Sequence, residues 1–326
     1  MKNLVVIVGP TGVGKTELSL RVAERCGAPI LSADSRQIYK ELPICSAAAT
    51  AQQQSRVPHF FVGNKSLEDA YSAAQFEADV LDVMQRSECS NFVLCGGSMM
   101  YVDAVCKGID DMPQADPEIR SRLKAQVEAE GLAPLLKQLA ELDPLYFAQV
   151  DKQNPQRVVH GLEMCLTTGR PFSSFRTGQS KQRPFRILKI GLTRPREELY
   201  ARIEQRVDEM VQQGLREEAQ QVFQQYASAL REQLKDVVRN PGPTQAQPIP
   251  NLVPPSLNTV GLKEMLLYFE GIYSWDRAIE RIVHNSCIYS KKQMTWFKRD
   301  DSIHWFHPSE EAEIFASVDR FLCCTT

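Results

Sequence analysis

The first sixteen residues, MKNLVVIVGPTGVGKT, constrain this chain more than any other stretch. Leu4 to Val8 is a short apolar, β-branched run of buried-strand length. It opens directly into Gly9-Pro10-Thr11-Gly12-Val13-Gly14-Lys15-Thr16. That octapeptide fits G-x-x-x-x-G-K-[ST] at every fixed position, and Glu17 to Arg25 reads as a helix. The strand, loop and helix that a P-loop requires therefore follow one another. The glycines let backbone N–H groups turn inward around an anion, and the helix N-terminus adds its partial positive charge. Lys15 supplies a point charge for terminal phosphates, and the Thr16 hydroxyl is placed to ligate Mg²⁺.

The strands that follow alternate with helices. Pro29 to Ala33 reads as a second strand ending in the polar cluster Asp34-Ser35-Arg36-Gln37-Ile38-Tyr39. Glu68 to Gln85 reads as a long helix. Asn91 to Cys95 is a further strand, closed by Gly96-Gly97-Ser98 and followed by a helix through Met100 to Val105. This alternation implies an α/β fold, a parallel sheet with helices on both faces. Ligands of such sheets bind at the carboxyl ends of the strands, so the Asp34 cluster should face the P-loop.

From Asp116 the pattern changes. Asp116-Pro117-Glu118 is a helix start, and helical stretches run over Arg120–Glu130, Ala133–Leu142 and Pro155–Leu166 with no strand between them. Residues 115–180 are thus expected to form an all-helical insertion between a first core segment, 1–114, and a second, 181–326. Phe185 to Leu192 returns to strand, Arg196 to Gln225 is helical with a break near Gly214, and 239–257 is a Pro-, Gln- and Asn-rich loop. Thr259–Phe269 and Ser274–Asp300 close the pattern as two helices.

Composition limits the partners. The net charge of −2 offers no global basic field, so any nucleic acid would need a local patch. The nine cysteines show no C-x₂-C pairing, and several lie inside apolar runs, as reduced core residues do. No signal peptide precedes the P-loop and no apolar run reaches about 18 residues, which points to a cytoplasmic protein without a membrane span.

A P-loop usually accompanies phosphoryl transfer, with a second strand ending in a Mg²⁺-binding aspartate. Here the strand Phe92–Cys95 ends in Gly-Gly-Ser, and the nearest strand-end carboxylate is Asp34. With Ser35, Arg36 and Gln37 it supplies a base, a hydroxyl, an amide and a cation. That set suits recognition and deprotonation of a polar group beside a bound pyrophosphate. The competing reading of Asp34 is an N-cap for a helix starting at Ser35.

Taken in order, GPTGVGKT, SADSRQIYK, CGGSMMYVDA, NPQRVVHGLE, ARIEQRVDEMVQQGL, NTVGLKEMLLYFEG and KKQMTWFKR resemble the tRNA dimethylallyltransferases. The resemblance runs from residue 2 to about 306. It implies alkyl transfer from dimethylallyl diphosphate to N6 of adenosine 37 in the anticodon loop, on a P-loop core carrying a helical insertion. Gly9, Pro10, Thr11, Gly12, Val13, Gly14, Lys15 and Thr16 would hold the diphosphate with Arg202 and Arg206, the latter two matching R-I-x-x-R. Asp34 would accept the amine proton, Thr11, Lys15 and Arg202 would act on the leaving group, and Thr16 would hold Mg²⁺. Asp34, Ser35, Arg36, Gln37 and Ser98 would read the target base. Gln156, Arg157, Val158, Val159 and His160 would contact the anticodon stem-loop, with His160 standing where many relatives have Arg.

The stretch Lys291–Arg299 interleaves cations with aromatics, which suits RNA phosphates and stacking, or equally an amphipathic helix that buries Trp296 and Phe297. Departures from the family pattern fall at Pro43–Ala49, at Pro58–Val62, at Leu262 and at Ser286-Cys287-Ile288. The resemblance further implies a monomer. The rival readings are alkylation of free AMP, a P-loop nucleotide kinase, and a tRNA-binding protein without turnover.

Overall fold

The computed structural model describes residues 1–110, 112–113, 116–239 and 250–323, the side chains of 236–239 aside. Its chain divides into two compact units, Met1–Cys106 with Arg183–Thr326, and Lys107–Gln182.

The larger unit is built on six parallel strands: β1 (Lys2–Val8), β2 (Ile30–Ser32), β3 (His59–Phe60), β4 (Asn91–Cys95), β5 (Phe185–Leu192) and β6 (Ile303–Phe306). Their order across the sheet is β3-β2-β4-β1-β5-β6. β1 pairs with β4 (Val5 opposite Val93) and with β5 (Val5 opposite Leu188), which places it at the centre. A central strand covered on both faces must be apolar on both, and β1 is. Leu4, Val6 and Val8 pack with Phe76, Phe92 and Leu94 on one face. Val5 and Ile7 pack with Leu18, Leu20 and Ile190 on the other. Because every pairing is parallel, the carboxyl ends of β1, β2, β4 and β5 lie along one edge, where Gly9, Ala33, Gly96 and Thr193 begin the loops.

The elements read from sequence keep their places with shifted ends. The helix expected from Glu68 starts at Ala73, because the Ser72 side chain caps it by accepting the Gln75 N–H. The long segment after β5 is two helices, Arg196–Gln212 and Leu215–Arg239, broken at Gly214. A third apolar core lies under them, joining Ile38, Leu42 and Leu67 to Leu215, Leu230, Leu262 and Met265. Of the loop expected at 239–257, residues 240–249 lie outside the described residues, and Pro255–Asn258 is a single 3₁₀ turn.

The smaller unit is helical: Pro117–Glu130, Ala133–Leu142, Pro144–Gln149 and Pro155–Thr168. It has its own core of Leu123, Leu135, Leu139, Tyr146, Val158 and Leu162. Between the second and third of these helices Asp143 is a buried cap. It accepts from the Tyr146 N–H at 2.9 Å and from the Ser173 N–H and hydroxyl at 2.6 and 2.7 Å.

Candidate active site

Gly14 ends the loop after β1 in a left-handed conformation (φ +107°), closed to most side chains, and starts the helix Lys15–Cys26 without any side-chain cap. The first-turn N–H groups of that helix therefore have no side-chain acceptor. The loop's carbonyls are turned to cations instead. Lys15 Nζ donates to Gly9 and Pro10 oxygens at 3.0 and 2.8 Å, Arg202 Nε to Gly12 oxygen at 2.9 Å, and Arg194 Nε to Val13 oxygen at 2.9 Å. The Thr11 N–H is taken by Gln293 Oε1 and the Val13 N–H by the Pro10 carbonyl, so the N–H groups left for an anion are those of Gly12, Gly14 and the helix's first turn. Arg206 Nη1 donates to Thr11 Oγ1 at 3.0 Å, so the Thr11 hydroxyl hydrogen is directed elsewhere. Burial pushes the Lys15 ammonium down to about 8, against the attraction of Cys95 and Asp34. Burial likewise lowers Arg206, with Asp34 opposing it.

This loop forms one wall of a cavity of about 780 Å³ whose lining includes Lys15, Thr16, Asp34, Gln37, Arg202 and Arg206. The residues expected to bind diphosphate and the strand-end carboxylate are thus brought together. Gly9, Pro10 and Val13 are the exceptions: all three are buried outside the cavity lining, and the Val13 side chain packs in the core. Asp34 Oδ1 accepts the Arg36 N–H at 2.9 Å, closing a local turn and not capping a helix: residues 35–38 form turns.

Beside it, Ser98 Oγ, buried, accepts the Ser35 N–H at 2.8 Å and lies 3.1 Å from Ser35 Oγ. Gln37 is held at both ends, accepting from Ser32 Oγ at 3.0 Å and donating to Ala47 oxygen at 3.0 Å. That second bond, with Glu218 accepting the Ile44 and Cys45 N–H groups at 2.7 and 2.8 Å, fixes the divergent stretch Pro43–Ala49 as a further wall.

Two cavity residues had no role in the sequence reading. Tyr289 and Gln293 lie four apart on one face of the helix Trp275–Phe297. Burial raises the Tyr289 phenol to about 12. Gln293 is buried. Both stand within or beside the stretch read for its cations and aromatics, and the available signal was the i, i+4 spacing. The aromatics of that stretch pack inward: Phe297 is buried and Trp296 Nε1 donates to Asp103 at 2.7 Å, while Lys291, Lys292 and Lys298 are exposed.

A family model described as IPP transferase matches residues 37–300. The chain belongs to the IPP transferase family. It is 51% identical over 322 residues to tRNA dimethylallyltransferase 2 of Parabacteroides distasonis, covering 98% of this chain and 99% of that one. It is 39% identical to the tRNA dimethylallyltransferase of Cytophaga hutchinsonii, covering 98% of each. Among solved structures it matches the tRNA isopentenylpyrophosphate transferase of Bacillus halodurans with a TM-score of 0.63 at 30% identity, covering 98% of both chains. A eukaryotic dimethylallyltransferase acting on tRNA shares the fold, with a TM-score of 0.81 at 21% identity over 99% of this chain and 80% of that one.

Within this IPP transferase, the remaining sequence-predicted residues stand on the helical unit. Asn154 caps the helix Pro155–Thr168 by accepting the Arg157 N–H at 3.2 Å, and Gln156, Arg157 and His160 are exposed on its first turns. Val158 and Val159 correct the sequence reading. They are 0% and 7% exposed, facing Leu135, Leu139 and Leu162, so their side chains hold the helix in place and touch no solvent-borne ligand. His160 Nδ1 lies 3.5 Å from Glu163, whose buried carboxylate also pairs with Arg120 at 2.8 Å.

Proposed function

We propose that the chain transfers the dimethylallyl group of dimethylallyl diphosphate to N6 of adenosine 37 in tRNA, releasing diphosphate. The observation that carries this reading is the meeting, in one cavity, of a P-loop and its uncapped helix start with Lys15, Arg202, Arg206 and a strand-end carboxylate, Asp34. A phosphoryl-transfer site would place a metal-binding acid at the end of β4. Here that strand ends in Cys95-Gly96-Gly97, and Asp34 stands at the end of β2.

The N6 amine attacks the allylic carbon, the C–O bond to diphosphate breaks, and the amine proton passes to Asp34 as the C–N bond forms. Lys15, Arg202 and Arg206 lie close enough to oppose the negative charge growing on diphosphate. Arg206 holds the Thr11 oxygen as an acceptor, so the Thr11 hydroxyl hydrogen is left to donate to a leaving-group oxygen. Thr16, exposed on the cavity wall, is a single hydroxyl ligand, which fits Mg²⁺ bound mainly through substrate phosphates. When bound, that ion would neutralise diphosphate charge.

The acceptor adenine must leave its stack to reach this cavity. Ser35, Arg36, Gln37 and Ser98 are proposed to contact its edge, and Gln156, Arg157 and His160 to contact the anticodon stem-loop. The protein is proposed to act as a cytoplasmic monomer. The test is incubation with Mg²⁺, labelled dimethylallyl diphosphate and either unmodified tRNA or AMP, followed by nucleoside analysis. Label in N6-dimethylallyladenosine from tRNA alone is expected. Label on AMP would move the protein to mononucleotide alkylation. Bound tRNA without label would leave only a binding role.

A further inference from the structure

Gln293 is 2% exposed, and its amide is bonded at both ends. Oε1 accepts the Thr11 N–H at 2.8 Å, and Nε2 donates to the Gly97 carbonyl at 2.9 Å. The two partners sit on loops leaving the neighbouring strands β1 and β4. Those loops serve different substrates in the proposed reaction. Thr11 belongs to the diphosphate loop. Gly97 immediately precedes Ser98, which takes the Ser35 N–H next to Asp34.

The approach is as close as chemistry allows: a Cβ at Gly97 would lie 2.2 Å from Gln293 Nε2, so no larger residue fits there without breaking the bond. One turn earlier on the same helix, Tyr289 lines the same cavity. That helix thus lays the Gln293 amide across the seam between the leaving-group side and the acceptor side.

We infer that Gln293 is a positioning residue that fixes the distance between the diphosphate loop and the Asp34 side of the cavity. The inference rests on the alkyl-transfer reading. Displacement requires the amine and the allylic carbon to be held about 3–3.5 Å apart in line, and misplacement by about 1 Å can cost about 100-fold in rate. Gln293 also occupies the Thr11 N–H, so its removal returns a donor to the phosphate loop. A positioning role therefore has its own signature: kcat falls while the KM for dimethylallyl diphosphate stays level or drops.

Two variants test this in the full chain, alongside the wild type and with thermal unfolding followed for each. Gln293→Met keeps length and burial but loses both bonds, and its kcat should fall by about 100-fold with both KM values within about twofold. Gln293→Glu can restore the pair of bonds only as a neutral carboxylic acid, whose O–H donates to Gly97 while the other oxygen accepts from Thr11. Burial raises a carboxyl pKa, so the ratio of its kcat to that of wild type should climb as pH falls from 9 to 6. Lys15, Asp34, Cys95, Arg202, Arg206 and Tyr289 share the cavity in both proteins, which is why the ratio is the quantity read.

A kcat for Gln293→Met within twofold of wild type would overturn the inference. So would a parallel loss of kcat and both affinities, or a pH-independent Glu ratio. A wild type that transfers no label would overturn the alkyl-transfer reading, and this inference with it.

Discussion

Two helix N-termini in this molecule are built in opposite ways. The helix Lys15–Cys26 starts at Gly14 with no side-chain cap, while Pro155–Thr168 starts at Asn154, whose side chain takes the Arg157 N–H, with Pro155 filling the next position. The first leaves N–H groups and a positive helix end for a ligand. The second closes its own end and offers a ligand only side chains, Gln156, Arg157 and His160. An uncapped end costs stability and gains an anion site, whereas a capped one gains stability and presents a surface. In the proposed reaction, the first end is the place for diphosphate and the second the place for RNA.

That separation can be broken by substitution. Asp34→Ala should have the largest effect, lowering kcat by about 100-fold or more in the label-transfer assay. Near-normal turnover would leave Asp34 only its bond to the Arg36 N–H.

Lys15→Ala should come next, raising the KM for dimethylallyl diphosphate by about 10- to 100-fold, the value of a charge-assisted bond, with the KM for tRNA unchanged. The same lysine gives a pH dependence. Burial lowers it to about 8, and anion binding needs its protonated form. The KM for diphosphate should therefore be level below about pH 8 and rise with pH above it, a rise that Lys15→Ala abolishes.

Arg157→Ala should act on the other substrate, weakening tRNA by about tenfold and lowering the slope of affinity against salt by about one, with diphosphate untouched. The smallest effect is expected of Asn154→Ala: about 1 kcal/mol lost in denaturant unfolding, and no change in the KM for diphosphate.

The P-loop half of the cavity was legible because its signal is local. Gly9 to Thr16 is one continuous motif, and β1 before it is apolar on both faces because both are covered. Asp34 was legible because strand ends in a parallel sheet face one edge. Elements whose stability comes from distant partners were not. β3 has two residues, and the polar helix Ala51–Arg56 buries none of its own. β6 exists by pairing with β5, Gly191 opposite Trp305, which no local pattern announces.

Gln293 was hidden for the same reason. Its partners, Thr11 and Gly97, lie 282 and 196 positions away in the chain. Val158 and Val159 show the converse error, where a continuous motif mixes an exposed face with a buried one; an N-terminal turn with helical spacing predicts that split.

The central claim is that an exocyclic amine, placed beside Asp34, attacks carbon and not phosphorus. The most direct test compares two anticodon stem-loops that differ only at position 37, one with adenosine and one with purine riboside, whose N6 amine is replaced by hydrogen. With labelled dimethylallyl diphosphate and Mg²⁺, the account predicts label on the adenosine stem-loop and none on the purine one. Equal label on both would contradict it.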